Sequence, residues 1–386
     1  MRVAERLRRE LAELERRSEL RTLEVAPDLD FSSNDYLGLS VDPRLKQAVA
    51  TALAGSGPAA ATGSRLLSGH SERWTELESD FACWIGAEAA LFFTSGYLAN
   101  VGLLAAVLSP EDTVFSDSAN HASLIDGIRL SKARRVVFPH LDLNFLEDAL
   151  RREPATGARF IVVESVFSMD GDRAPLADLA ALAERHGAEL IVDEAHAAGV
   201  FGPGGRGAVA EAGLAGRVFA TICTCGKALA SSGALVCGSE TLRQFLINRA
   251  RTFIFSTALP PYFSAHVRAG WELAARADAG RARLFANAEL LRGELRARDF
   301  DLRGSESQIV PVVLGENERA VAVAEQLRAR GFGVRAIRPP TVPPGTARLR
   351  LSVTARHDEA LLRELAAAIE SAARGQAVAA KGQAGR

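Results

Sequence analysis

Of the 46 basic residues in this 386-residue chain, only Lys46, Lys132, Lys227 and Lys381 are lysine; the others are arginine. Arginine keeps its proton at any physiological pH and cannot form an imine, whereas a lysine amine can lose its proton and attack a carbonyl carbon. A chain that writes nearly every cation as arginine keeps lysine where a primary amine is required. Lys46 and Lys132 stand in polar, surface-like stretches, and Lys381 in a Gly/Ala/Gln-rich end. Lys227 stands between an apolar strand pattern and an apolar segment, an odd place for a solvated charge.

Other reactive side chains follow short apolar runs. Glu164 and Ser168 come after 160–163, Asp193 after 190–192, and Thr224 with Lys227 after 218–223. In open α/β sheets ligands bind outside the carboxyl ends of the strands. The pattern therefore predicts that a lone amine, an acid and hydroxyls converge on one sheet edge. Pyridoxal 5'-phosphate (PLP) needs such a set: an amine for its aldehyde, a carboxylate beside the pyridine nitrogen, and donors for a dianionic phosphate. Asp193 suits the carboxylate. His196, three residues on, is placed to reach the ring hydroxyl, and His121 in Ser118–Ser123 to stack on the ring. Thr94-Ser95-Gly96-Tyr97 opens a helix after an apolar strand, and free N–H groups at a helix start attract phosphate. Taken singly, each residue has an ordinary explanation: a capping aspartate, a core histidine, a helix-start histidine, a common strand-to-helix turn.

Two motifs mislead. Asp193-Glu194-Ala195-His196 spells the DEAH of helicases, but no G-x-x-x-x-G-K-[ST] loop accompanies it. Gly202–Gly207 fits G-x-G-x-x-G, yet it is not a strand-to-helix turn and no ribose-binding acid ends a following strand.

The elements that must position these residues form a βα alternation. Strands are expected at 90–93, 113–116, 135–138, 160–163, 190–192, 218–223 and 234–237, with helices starting near Leu98, Ser123, Leu143 and Pro175. Buried apolar strands alternating with helices predict a mostly parallel, doubly wound sheet. Helical patterns from 258 to 298 and strands near 309–314, 333–337 and 347–351 predict a smaller C-terminal α+β domain. The expected division is an N-terminal arm over 1–40, a large domain over 41–275, a small domain over 276–372 and a disordered tail over 373–386. Val3, Leu7, Leu11 and Leu14 make the start an amphipathic helix.

A net charge of -1 gives no reason to expect nucleic acid or an anionic membrane as partner. No apolar run approaches a membrane span, and the opening residues lack a secretory h-region. Four scattered cysteines make neither a disulfide framework nor a zinc site, so no metal is expected and the compartment is expected to be the cytoplasm.

Long motifs then occur in order: FSSNDYLGL (31–39), GSR (63–65), ESVFSMDGD (164–172), DEAHAAGVFGPGGRG (193–207), TCGK (224–227) and IRPPTVPPGTARLRL (337–351). From about residue 30 to 370 the chain resembles the α-oxoamine synthase family of PLP enzymes, which join an amino acid to an acyl thioester and release carbon dioxide. The resemblance implies the aspartate aminotransferase-like α/β fold of PLP-dependent transferases. Within the family, the first and last motifs resemble most the members that condense L-alanine with pimeloyl-acyl-carrier protein or pimeloyl-CoA. Members using glycine with succinyl-CoA or acetyl-CoA, and non-catalytic family subunits, are the alternatives; the presence of Lys227, Asp193, His121 and Arg350 argues against the last.

By this resemblance Lys227 carries the cofactor, Asp193 pairs with the pyridinium, His196 bonds the ring hydroxyl and His121 stacks on the ring. Gly96, Tyr97 and Thr224 hold the phosphate and its surroundings, Ser168 lies near the ring hydroxyl, and Ser256 and Thr257 reach in from the second subunit of a homodimer. Arg350 clamps the amino-acid carboxylate with Asn34 nearby, and Arg21 lies near the acyl chain. Two departures stand out: Ala197-Ala198 in place of the commoner Ser-Thr or Gly-Thr, and Ala230 in place of a usual glycine.

Overall fold

The computed structural model describes residues 2–55, 57–153 and 156–384, with side chains described as far as residue 375. Among them twelve strands are numbered along the chain: β1 (Leu29–Asp30), β2 (Ala89–Phe93), β3 (Thr113–Asp117), β4 (Arg134–Phe138), β5 (Arg159–Glu164), β6 (Ala188–Asp193), β7 (Ala220–Thr224), β8 (Ala234–Gly238), β9 (Ile309–Gly315), β10 (Phe332–Gly333), β11 (Arg335–Ile337) and β12 (Ala347–Ser352). The chain divides into two compact units.

The larger unit, Asp35–Ser168 with Arg173–Arg281, holds a seven-stranded sheet of order β2-β8-β7-β6-β5-β3-β4. Only β8 runs against the others, pairing antiparallel with both β2 and β7. The central strands are short apolar runs because helices cover both faces: Leu91, Phe93, Val162, Ile191, Ile222 and Val236 are buried against Leu103, Leu104 and Ile128. Each such side chain contributes roughly 1.5–3 kcal/mol by leaving water. Edge strand β4 is different, with Arg134 and Arg135 exposed, a charge pattern that discourages pairing with another sheet.

The mostly parallel α/β architecture expected from the βα alternation is present, with strand ends displaced by one or two residues. The helix expected near Leu98 begins at Gly96, because Ser95 caps it by accepting the Leu98 N–H. In the glycine-rich 202–207 loop, Gly202, Gly204, Gly205 and Gly207 all have positive φ, between 61° and 98°. A Cβ on Gly207 would fall 1.6 Å from Glu194 Oε2, so this glycine serves close packing against a buried carboxyl. Glu194 in turn accepts the Val209 N–H at 2.9 Å at the start of the helix Ala208–Glu211.

The smaller unit comprises Met1–Asn34, Met169–Asp172 and Ala282–Arg386. Its antiparallel sheet has the order β11-β12-β9 and packs against the helix Asn317–Ala329, on which the helix Glu359–Ala384 packs in turn. The strand expected over 333–337 is two strands, because β10 pairs with β1 in parallel while β11 pairs with β12. The first 34 residues group with this unit through β1 and through arginines. Arg338 donates to the carbonyls of Ser18 and Leu20, and Arg335 to Glu24 at 2.6 Å. The last helix continues to Ala384 through the segment expected as a tail; its alanine-rich sequence has high helix propensity. Among the described residues no helix is long and apolar enough to cross a membrane, and no group of His, Cys, Asp and Glu could hold a metal ion.

Candidate active site

Sheet register brings the reactive residues of the larger unit together. Glu164 and Asp193 are the last residues of β5 and β6 and are directly paired, and Asp193 is paired in turn with Ile222 of β7, two residues before Thr224. Asp193 is buried, and each of its carboxylate oxygens is held. Oδ1 accepts the Ala195 N–H at 2.8 Å, and Oδ2 accepts from Asn100 Nδ2 at 2.7 Å. The second Asn100 N–H goes to Ser123 Oγ at 2.9 Å, and Ser123 Oγ lies 2.7 Å from His121 Nδ1. Turning the Asn100 amide over would set its oxygen against the Asp193 carboxylate, which fixes the orientation. A line thus runs from buried Asp193 through buried Asn100 and Ser123 to His121, whose side chain reaches solvent.

Lys227 follows β7 in a tight loop closed by Ala230 N–H to Lys227 O at 2.9 Å and Ser231 N–H to Cys225 O at 2.8 Å. Its Nζ lies 2.9 Å from His196 Nε2, and His196 Nδ1 lies 2.6 Å from the Tyr36 hydroxyl. The Ala230 departure is felt here: its φ of 47° is in the left-handed region, where glycine is at ease and alanine is not. Ala197 and Ala198 are both buried beside His196.

Burial sets the charges. Glu164 is pushed up to about 8, first by burial and then by the negative charge of Asp193, with Lys227 pulling the other way. Its Oε1 has no hydrogen-bond partner among the described residues. Glu194 is pushed up to about 7, also by burial. His121 is lowered by burial; Asp193 opposes and Lys227 reinforces this, so the imidazole is neutral near pH 7. Lys227 and Asp193 thus act electrostatically on the same two groups, which is the convergence the strand ends predict.

At the head of the helix Gly96–Val107, Ser95 takes the Leu98 N–H, and the amides of Gly96 and Tyr97 are among the first-turn donors that lack intrahelical partners. A Cβ on Gly96 would stand 2.6 Å from Thr224 Cγ2, so glycine keeps this approach open. The Thr224 hydroxyl donates to Ala195 O at 3.2 Å. The Tyr97 hydroxyl is turned to Asp126 and its side chain is 45% exposed, which leaves its backbone N–H as its contribution to an anion site. Ser256 and Thr257 line a small cavity with Thr94 and Phe93, and Thr257 bridges to Ser64. Ser168, buried, begins the turn that follows β5 four residues beyond the strand's end.

Three predicted residues lie in the smaller unit. Arg350, on β12, donates from both terminal nitrogens to Asn34 Oδ1 at 3.2 Å and from one to Ser352 Oγ at 2.9 Å. Arg21 reaches Thr341 Oγ1 at 3.5 Å and lines a groove with Arg335 and Arg338. Neighbouring Arg348 is spent on a buried ion pair with Asp170.

The residues of the larger unit fit PLP. Lys227 offers the amine, Asp193 a carboxylate fixed by two donors, His121 a neutral ring, and the Gly96 cradle space for a phosphate beside free amides. Two contributors have no assigned role in the sequence reading. Asn100 is visible as the single amide in the apolar helix GYLANVGLLAAV; Tyr36 lies within FSSNDYLGL, but nothing local points it at His196.

The aminotransferase class I and II family model matches residues 26–369. The putative 8-amino-7-oxononanoate synthase of Geobacillus kaustophilus is 48% identical over 334 residues, covering 86% of this chain and 85% of that protein. The 8-amino-7-oxononanoate synthase of Aromatoleum aromaticum is 45% identical over 378 residues, covering 95% and 97%. Among solved structures, serine palmitoyltransferase from S. paucimobilis, with PLP and myriocin bound, matches with a TM-score of 0.89 at 30% identity, covering 98% of this chain and 100% of that one. The 8-amino-7-oxononanoate synthase from Francisella tularensis matches with a TM-score of 0.78 at 30% identity, covering 90% and 98%.

Proposed function

The chain belongs to the PLP-dependent α-oxoamine synthases within the aminotransferase class I and II family, and on that premise we propose that it is an 8-amino-7-oxononanoate synthase of biotin biosynthesis. It condenses L-alanine with a pimeloyl thioester and releases carbon dioxide and the free thiol. The observation that carries this reading is the set at the sheet edge, with Lys227 Nζ against His196 and Asp193 held by Asn100, in a chain 45–48% identical to synthases of that name.

Bound PLP supplies an aldehyde for imine formation and a ring that accepts electrons from the amino acid. Lys227 would hold the cofactor through its amine, and the same Nζ would serve as the general base for the Cα proton of alanine. Asp193 presents fixed negative charge to the pyridine nitrogen, and Asn100 and the Ala195 N–H keep that carboxylate from turning away. His121, neutral and tied through Ser123, presents a flat ring face without adding charge. Gly96 and Tyr97 donate backbone N–H groups to the phosphate, and Ser256 and Thr257 complete its shell from the second subunit of a homodimer. Arg350 binds the alanine carboxylate, with Asn34 holding its guanidinium in place. Arg21 serves the acyl chain. The acyl donor is carried by acyl-carrier protein or coenzyme A, and the enzyme works in the cytoplasm.

Purified protein with PLP, L-alanine and pimeloyl-CoA or pimeloyl-acyl-carrier protein is expected to yield 8-amino-7-oxononanoate by mass spectrometry. Turnover of glycine with succinyl-CoA or acetyl-CoA in preference to this pair overturns the reading.

A further inference from the structure

Tyr36 is fully buried, and its hydroxyl lies 2.6 Å from His196 Nδ1. The other imidazole nitrogen, Nε2, lies 2.9 Å from Lys227 Nζ. The tyrosine is held on a rigid support. Gly38 N–H closes on Asp35 O at 2.9 Å, the Asp35 carboxylate accepts the N–H groups of Leu39 and Ser40, and Gly38 takes a φ of 70°. The turn fixes the backbone that carries Tyr36, and complete burial restrains its ring.

A neutral imidazole carries one proton, and the partner of one nitrogen decides what the other offers. A phenol is a stronger acid than a neutral imidazole N–H, and an imidazole nitrogen is a stronger base than a phenolic oxygen. The favoured pairing is therefore O–H donating to Nδ1. We propose that Tyr36 is a positioning residue: its hydroxyl donates to His196 Nδ1 and so fixes the imidazole with its proton on Nε2, facing the Lys227 amine. Lys227 then meets a donor, which suits a neutral amine or an unprotonated imine nitrogen and disfavours the ammonium. Titratable groups near this pair include Asp193 at the end of β6, Glu164 at the end of β5 and His121 after β3. The charges of Lys227 and Asp193 both act on Glu164 and His121. Tyr36 is in hydrogen-bond reach of Nδ1, and its hydroxyl is the group proposed to select the tautomer.

This inference rests on the PLP reading of the site, but its test does not depend on product formation. In the holoenzyme labelled with nitrogen-15 histidine, seven imidazoles give signals, and His196→Asn identifies the one in question. The wild type is expected to show Nε2 bearing the proton and Nδ1 without one; the opposite tautomer overturns the proposal without any Tyr36 variant. In Tyr36→Phe, Nε2 becomes free to accept from the lysine nitrogen. The visible absorbance of the lysine-bound cofactor is then expected to titrate at a pH higher by about one unit, a tenfold change in the proton equilibrium. The same shift is expected to vanish when Tyr36→Phe is made on a His196→Asn background, because the hydroxyl acts through that ring. An unmoved midpoint in a folded, cofactor-loaded Tyr36→Phe, or a full shift on the His196→Asn background, shows that Tyr36 merely packs. If no product forms from any substrate pair but the tautomer and midpoint behave as expected, the substrate reading fails and the positioning role stands.

Discussion

Asn100 and Asp193, 93 residues apart in sequence, are joined inside the larger unit by a 2.7 Å hydrogen bond from amide to carboxylate. The same amide nitrogen serves Ser123, whose hydroxyl reaches His121, so one side chain orients both the acid and the aromatic ring expected to face the cofactor.

Asn100→Ala removes both donors and leaves the buried Asp193 with only the Ala195 N–H. A hydrogen bond to a charged group is worth about 1.5–3 kcal/mol, so PLP affinity is expected to fall by about tenfold to a hundredfold. Fluorescence titration of cofactor-free protein with PLP measures it. Asn100→Asp should be worse still, because it sets a second carboxyl against Asp193; wild-type affinity in either variant would show that Asp193 is held by the backbone alone.

Glu164 makes stability depend on pH. Its folded value of about 8 stands above the ordinary 4.5, so between these limits the native chain keeps a proton that the unfolded chain releases. Stability from this group is complete below pH 4.5 and is lost as pH rises through about 8. Urea midpoints at pH 5 and pH 8.5 are expected to fall further for the wild type than for Glu164→Gln, which cannot ionise. Glu194, raised to about 7, acts with the same sign and stays in both proteins, so it cancels from the comparison. Parallel profiles would mean that Glu164 is already ionised in the native state.

The βα alternation was legible because strands buried on both faces must be apolar along their whole length, and the reactive residues were legible because they end those strands. Lys227 stood out through the scarcity of lysine. Asn100 and Tyr36 were not assigned, since each acts through a partner distant in sequence that no local pattern reveals. The grouping of residues 1–34 with the C-terminal segment escaped for the same reason: β1 is two residues long, and its pairing with β10 spans some three hundred residues. The glycines of 202–207 resembled a nucleotide loop because both uses require the same freedom in φ.

Ala230 carries a cost that substitution can remove. At φ 47° its Cβ crowds the backbone, a strain of roughly 1–2 kcal/mol, partly offset by the lower unfolded-chain entropy of alanine relative to glycine. Ala230→Gly is expected to raise stability by about 0.5–1 kcal/mol, read as an upward shift of the urea midpoint with unchanged slope. A loss of stability would show that the methyl group packs well enough to outweigh the strain.

Arg350 and Asn34 separate binding from chemistry. Arg350 is buried and its terminal nitrogens converge on the Asn34 carbonyl and Ser352 hydroxyl, so its guanidinium is set in place before any substrate arrives. Arg350→Ala removes the proposed partner of the alanine carboxylate, an interaction worth about 1.5–3 kcal/mol, so the KM for alanine is expected to rise about tenfold to a hundredfold. Asn34→Ala keeps the charge but loosens the guanidinium and should raise KM by a smaller factor. Neither change touches Lys227 or Asp193, so the visible spectrum of the bound cofactor should stay as in the wild type. Steady-state kinetics with alanine varied at saturating pimeloyl thioester, beside absorbance spectra, test both. An unchanged KM in Arg350→Ala would leave this arginine with a structural role only, and the carboxylate would need another partner.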